Sequence, residues 1–349
     1  YYNLNKINLS MDQTSDTNNK LSTRDIEFFY KKNFQEFKNS SILISGAGGS
    51  IGSELSKQLI KFKPKKIILL ELSEINLFNI NSELENLNIK KDVSVISILG
   101  DINDFNFIKN IFNDYKPNIA YHAAAIKHVA ISENNPLQCI KTNVIGSNNI
   151  MYLSNKFKVK KFILISTDKA VNPVNVMGAT KRLAEKLIQS KAKNSKTKYL
   201  AVRFGNVLGS SGSAIPIFRK QIKDGGPVTI THPEMTRYFM SISEAAKLIL
   251  QAGSFGRNGN IFLLEMGNPI KIDNMARDLI KLSGLEPGID IPIVYTGLRP
   301  GEKLYEELLI KGEFVKTDHP LIYKEDVNSK IPKDFWELIK SLEEAIKIN

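Results

Sequence analysis

Short apolar runs, each broken off by glycine or polar residues, alternate along this chain with longer stretches whose apolar positions recur every three or four residues. The runs at 41–44, 66–70, 93–99, 118–121, 162–165 and 199–204 predict strands buried on both faces, because their apolar character is continuous rather than alternating. Ile51, Leu55, Leu59 and Ile60 open a helix after the first run. Leu137, Ile140, Val144, Ile150 and Leu153 predict one long helix over Asn134–Phe157, and a third helix is expected over Met177–Lys191. Strands separated by helices need crossover connections, which implies a parallel sheet covered on both sides. Before the first run, residues 1–40 predict a polar lead and one docking helix, Asp25–Phe37, carrying Phe28, Phe29, Phe34 and Phe37.

After Gly209 the pattern loosens into helices at Ser241–Phe255 and Lys271–Ser283 and strands at Gly259–Met266 and Ile291–Tyr295. The expectation is an α/β protein: a Rossmann-type doubly wound parallel sheet over 41–208, with a smaller mixed α/β substrate domain mainly in 209–349, its segments free to interleave with the first. A chain of 349 residues with 42% hydrophobic content can bury cores for both.

Charge and composition narrow the chemistry. The formal charge of +12 is spread over short lysine runs such as Lys61–Lys66 and Lys156–Lys161. Nucleic-acid binding needs a clustered basic footprint with interleaved aromatic residues, and no such motif is present. The single cysteine, Cys139, leaves no disulfide framework, and four histidines without a His-x-x-x-His pair argue for no metal. The chain holds no run of 18 apolar residues, so no membrane span is expected within it. These features fit a cytoplasmic protein, at the inner membrane face if an anchor precedes Tyr1.

The first strand runs directly into Gly46-Ala47-Gly48-Gly49-Ser50-Ile51-Gly52, and a helix follows. In that context glycines allow a tight turn and close approach of a pyrophosphate to the free N–H groups of the helix. Gly46, Gly49, Ser50, Ile51 and Gly52 are therefore expected to bind a dinucleotide. Glu71 ends the second strand where a carboxylate would accept from the adenosine ribose and repel a 2′-phosphate, favouring NAD over NADP; Ser73 or Glu74 are alternatives. Asp101 and Ile102 follow the third strand, where the carboxylate is in place for an adenine amino group. Ala123 and Ala124 end the fourth, and their small side chains would let a flat cofactor lie on the backbone. His122 and His128, beside the alanines, read as hydrogen-bonded structural groups. The fifth strand ends abruptly in Ser166-Thr167-Asp168-Lys169, reactive groups at the carboxyl end of a central strand, and Met177 and Lys181 follow.

Six blocks in this order resemble an extended short-chain dehydrogenase/reductase, and within that group the UDP-N-acetylglucosamine 4,6-dehydratases of bacterial polysaccharide and glycan biosynthesis, membrane-associated branch: GAGGSIGSEL, HAAAIKHV, STDKAVNPVNVMGATK, RFGNVLGSSGS, MTRYF and RPGEKLYEEL. The likeness spans about Ser41–Leu309. One departure from the broad superfamily is Met177, where a proton-carrying tyrosine is usual; a thioether cannot move a proton at neutral pH. The resemblance implies an enzyme that oxidises C4 of a nucleotide sugar, eliminates water across C5 and C6, and returns hydride to C6 with NAD unchanged overall. Adjacent at the strand end, Asp168 is expected as acid for the C6 hydroxyl and Lys169 as base for the C5 proton, its amine kept neutral by partial burial and by Lys181; relatives with the same strand end carry an acidic pair there, so the lysine is a second departure. Thr167 would bond the C4 oxygen, Lys181 the nicotinamide ribose, and either Asp168 or a water would take the C4 proton. Lys127, Asn206, Arg237, Arg299 and Glu302 are the expected substrate contacts. UDP-N-acetylglucosamine is the expected substrate, its GDP analogue an alternative; a 4-epimerase or reductase, or a silent dinucleotide-binding protein, are the rival readings. A homo-oligomer is expected.

Overall fold

The first apolar run, Ser41–Ser45 (β1), lies third from one edge of a nine-stranded sheet. A computed structural model describes residues 31–87, 92–307, 314–326 and 331–348, with the side chains of 31–33 left out. On one side of β1 stand Lys66–Glu71 (β2) and Ser94–Leu99 (β3). On the other stand Ile119–His122 (β4), Lys161–Ile165 (β5) and Lys198–Arg203 (β6). All of these pair in parallel. Helices cover both faces: Ile42 and Ile44 of β1 point into one apolar core and Leu43 into the other. That is why these strands read as unbroken apolar runs.

The helix after β1, Ser50–Leu59 (α1), packs on the first face with a later helix, and Glu74–Leu87 (α2) and Phe105–Tyr115 (α3) complete the first crossovers. The long helix expected over 134–157 is broken into Val129–Asn134 (α4), Pro136–Ile140 (α5), a π-helical turn at Lys141–Gly146 and Ser147–Lys156 (α6). Pro136 at the start of α5 lacks the N–H that a continuous helix would need, and Asn135 leaves helical geometry with φ −135°. Val176–Ala192 (α7) begins as expected, where Asn175 Oδ1 accepts from the Gly178 N–H at 2.7 Å. Of the docking helix, residues 25–30 lie outside the described residues; Lys31–Glu36 is a 3₁₀ turn, and Phe34 and Phe37 are buried against Phe62. The lead before residue 25 also lies outside them.

Residues beyond 208 divide between two places. Ile261–Leu264 (β11), Ile322–Glu325 (β15) and Phe314–Lys316 (β14) extend the main sheet past β6, the last two antiparallel. The helix Ile242–Phe255 (α9), started by a Ser241–Glu244 capping box, packs on the sheet beside α1. A separate core gathers Ala214–Lys223 (α8), Ile272–Leu282 (α10), Val228–Ile230 (β8) and Ile293–Tyr295 (β13). Two short ladders hold it to the sheet's carboxyl end: Asn206–Val207 (β7) with Phe239–Met240 (β10), and Thr236–Arg237 (β9) with Ile270–Lys271 (β12).

Candidate active site

A cavity of about 780 Å³ opens at the carboxyl ends of β1, β2, β4, β5 and β6. Such crevices are where doubly wound sheets bind ligands. The glycine turn forms one wall. Gly46 has φ +67°, and a Cβ there would meet the Ala124 backbone nitrogen at 2.6 Å; a Cβ on Gly52 would collide with the Gly46 carbonyl. Gly46, Gly49, Ser50, Ile51 and Gly52 line the cavity, the three glycines with no side chain between backbone and cavity. Glu71 Oε2 accepts from the Gly48 N–H at 2.9 Å, while Oε1 accepts from Leu72 and Ser73 at 3.0 and 3.1 Å. The carboxylate therefore braces both the glycine turn and the loop after β2. Asp101, Ile102, Ala123 and Ala124 continue the wall, with Asp101 Oδ1 accepting from the Asn103 backbone at 2.9 Å. This bare-backbone cradle with a carboxylate at its far end fits a dinucleotide.

At the opposite end stand Thr167, Lys169, Met177 and Lys181. Lys181 Nζ donates to the Ile165 carbonyl at 2.9 Å, and burial pushes its amine down to about 8 despite the pull of Cys139 and Glu185. Met177 is buried at the start of α7, so an apolar thioether, not a hydroxyl, fills that part of the wall.

Asp168 is 1% exposed and does not line the cavity; its Oδ1 accepts from Thr167 Oγ1 at 2.8 Å and from Lys169 Nζ at 3.0 Å. The expectation that burial and Lys181 keep Lys169 neutral is corrected here. Burial does work in that direction, but Asp168 and then Glu306, whose Oε1 lies 3.4 Å from Nζ, outweigh it and raise the ammonium above its ordinary range. Arg237 is also placed otherwise than expected. Its guanidinium donates to the carbonyls of Thr236, Leu304 and Lys303 at 2.7–3.1 Å and pairs with Glu306 at 3.6 Å. It clamps the 299–307 turn rather than lining the cavity. Arg299 is exposed and outside the cavity, and Glu302 closes the same turn by accepting from the Arg299 N–H at 3.1 Å. Lys127 and Asn206 do line the cavity: Asn206 Oδ1 accepts from Lys169 Nζ at 3.3 Å, and Lys127 Nζ donates to the Ser211 carbonyl at 3.1 Å.

Two features were not foreseen, and a third, His122, is the hydrogen-bonded structural group expected. The Ser210–Ser213 loop lies along the cavity, and the Ser211 N–H donates to Ser50 Oγ at 3.4 Å. Asn143, in the π turn, donates to Thr180 Oγ1 at 3.0 Å and exchanges two bonds with the Ile126 backbone, tying α7 to the loop after β4. His122 is buried between Ser45 Oγ at 2.6 Å and Ser147 Oγ at 2.8 Å; burial, with Lys181 next, pushes its imidazole down to about 3. Glu306 and the Ser210–Ser213 loop both lie inside matching blocks of the sequence, whereas Asn143 lies outside them. Among the described residues no cluster of His, Cys, Asp or Glu could hold a metal, and no helix is long and apolar enough to cross a membrane.

The bare glycine cradle, the Lys181–Met177 pair one helical turn apart and the reactive end of β5 define an extended short-chain dehydrogenase/reductase of the nucleotide-sugar dehydratase/epimerase kind. The chain belongs to the polysaccharide biosynthesis protein family, whose model matches residues 42–326. It is 50% identical over 313 residues to the capsular polysaccharide biosynthesis protein CapD of Staphylococcus aureus, a match taking in 84% of this chain and 52% of CapD. The chain thus spans about half the length of that relative. A UDP-N-acetylglucosamine 4,6-dehydratase (inverting) of Campylobacter jejuni is 36% identical, with 78% of each chain covered. UDP-glucose 4-epimerases of Rickettsia bellii and its relatives stand at 34–35%. Among solved structures, Pen from Bacillus thuringiensis superimposes with a TM-score of 0.75 at 30% identity, covering 88% of this chain and 98% of that one.

Proposed function

We propose that this chain is the catalytic unit of an NAD-dependent nucleotide-sugar 4,6-dehydratase acting on UDP-N-acetylglucosamine. The observation that carries the reading is the Asp168–Lys169 pair, 3.0 Å apart at the cavity end of β5, opposite a glycine cradle. The Campylobacter dehydratase relative supports the substrate class. NAD, when bound, supplies a hydride acceptor and donor. Gly46–Gly52 and Glu71 would hold its pyrophosphate and adenosine ribose, and Lys181 its nicotinamide ribose. The carboxylate of Glu71 opposes a 2′-phosphate, which favours NAD over NADP.

An ion pair and a neutral pair of Asp168 and Lys169 hold the same protons. A shift across 3.0 Å turns ammonium and carboxylate into amine and carboxylic acid. Once C4 of the sugar is a ketone, the neutral Lys169 amine takes the C5 proton. Asp168 gives up its proton through the Thr167 hydroxyl, its hydrogen-bond partner, to the C6 oxygen. The C6–O bond breaks, water leaves, and the pair is again an ion pair; Lys169 returns its proton to C5 as C6 is reduced, and the proton lost to water from the C4 hydroxyl is regained from water to restore the ammonium. Lys127, which lines the cavity, is the cation we place against the diphosphate, with Asn206 in the same wall. Nucleotide sugars are made in the cytoplasm, where we place the reaction.

A 4-epimerase returns hydride to C4 and needs no acid for a C6 hydroxyl, so the Asp168–Lys169 pair would stand idle in it, while the Rickettsia relatives keep that reading in the test. Incubation with UDP- and GDP-N-acetylglucosamine, followed by mass spectrometry, separates them: dehydration lowers the product mass by one water and epimerisation leaves it unchanged. Asp168→Asn and Lys169→Met should each slow turnover by about 10²–10⁴ with NAD binding retained. Near-normal dehydration in both would sink the assignment.

A further inference from the structure

Glu306 lies in the 299–307 turn, distant along the chain from β5, yet its carboxylate is buried, with 4% of its side chain exposed. It touches two cations: Lys169 Nζ at 3.4 Å and Arg237 Nε at 3.6 Å. A buried carboxylate is stable only when paired, so its position reports the charge it expects to meet. Arg237 also holds the turn by its backbone, through Leu304 and Lys303, which fixes where Glu306 stands. The groups facing Lys169 are therefore Asp168 from its own strand end, Asn206 of β7, Arg237 of β9 and Glu306 of the turn. Asn206 carries no charge, and Arg237 repels the ammonium; apart from Asp168, Glu306 is the anion among these groups.

We propose that Glu306 is a positioning residue of the catalytic centre, holding the Lys169 ammonium in the cavity wall and setting how readily that amine gives up its proton. The proposal rests on the dehydratase reading for its consequence: Glu306 opposes the neutral Asp168–Lys169 pair until substrate is in place. The charge relation itself holds whatever the substrate. Through Arg237, it links the proton chemistry of the main sheet to the turn packed against the smaller core. Movement of that turn would then change the charge beside Lys169 without any movement of β5.

The test reads Lys169 directly. Acetic anhydride acylates only neutral amines, so the pH dependence of Lys169 acetylation, followed by peptide mass spectrometry on the whole chain, gives its titration midpoint. In Glu306→Gln, which keeps the shape and removes the charge, the midpoint should fall by about one pH unit, roughly tenfold more labelling at a fixed pH below it. Glu306→Asp, with the carboxylate drawn back, should shift the midpoint in the same direction by less, and it decides the matter if the glutamine variant does not fold. Lys169 midpoints within about 0.2 unit of the parent in the folded variants would overturn the proposal. A parent protein that labels as expected but fails to dehydrate any nucleotide sugar would sink the dehydratase reading and leave this one standing.

Discussion

Beneath the candidate site lies a buried ionic network, and its disruption gives the sharpest test of how the site is supported. Arg203, at the end of β6, grips Glu185 of α7 through Nε and one terminal nitrogen, at 2.6 and 2.7 Å. It also reaches Glu325 of β15 at 3.1 Å, and Arg182 spans the same two carboxylates at 3.1 Å each. Ser166, next to Thr167, donates to Glu185 at 2.7 Å. Burial alone would raise the Glu185 carboxyl, but the two arginines hold it below the usual range. In Glu185→Ala, Arg203, with 2% of its side chain exposed, would keep only Glu325. Removing one partner of such a pair costs about 3–5 kcal/mol because the other charge stays buried. At roughly 2–4 °C per kcal/mol for a domain of this size, the melting temperature should fall by about 6–20 °C. Differential scanning fluorimetry at pH 7 reads this. The double variant Glu185→Leu/Arg203→Met removes both charges and should recover most of the loss. A single variant melting within about 1 °C of the parent, or a double variant no better than the single, would refute the idea that these charges are stable only as a set.

Two further outcomes follow from the geometry. His122 is held neutral when folded, with its imidazole down at about 3, whereas the unfolded chain titrates near the ordinary 6.5. The unfolded state therefore binds the proton first, so this contribution to stability is present above about pH 6.5 and shrinks as pH falls toward 3, by about 2 kcal/mol between pH 7 and 5. Urea midpoints should show it, and a His122→Gln variant with an equally steep acid limb would contradict the assignment. Glu71→Gln keeps the hydrogen bonds to Gly48 and its loop in part but loses the charge; NAD affinity should fall by roughly 10–100-fold and NADP gain relative to it. Isothermal titration measures both, and an unchanged NAD to NADP ratio would move ribose recognition to another residue.

The parts of the molecule legible in the sequence are those whose cause is local. Gly46 and Gly52 could be assigned because a turn packed against Ala124 and its own carbonyl excludes a Cβ. The central strands stood out because a strand covered on both faces has no polar side to show. The break at Asn135–Pro136 was hidden, since the apolar spacing runs on across it while the backbone does not. β14 and β15 were missed for another reason: they are short, lie at the sheet edge, and carry polar residues that would read equally well as loop. Arg237 and Lys169 show the limit at the site. An arginine in a matching block suggests an anion to bind, but nothing local to it reveals that carbonyls 303 and 304 already take its protons. The charge of Lys169 depends on Glu306, which only the folded chain brings near.

The Ser210–Ser213 loop lines the same cavity as the glycine turn and is fastened to Ser50 on one side and Lys127 on the other. Those two hydrogen bonds, at 3.4 and 3.1 Å, join one short loop to the start of α1 and to the loop after β4. The loop is thus a strap between two walls of one cavity, so a change in either wall is carried to the other.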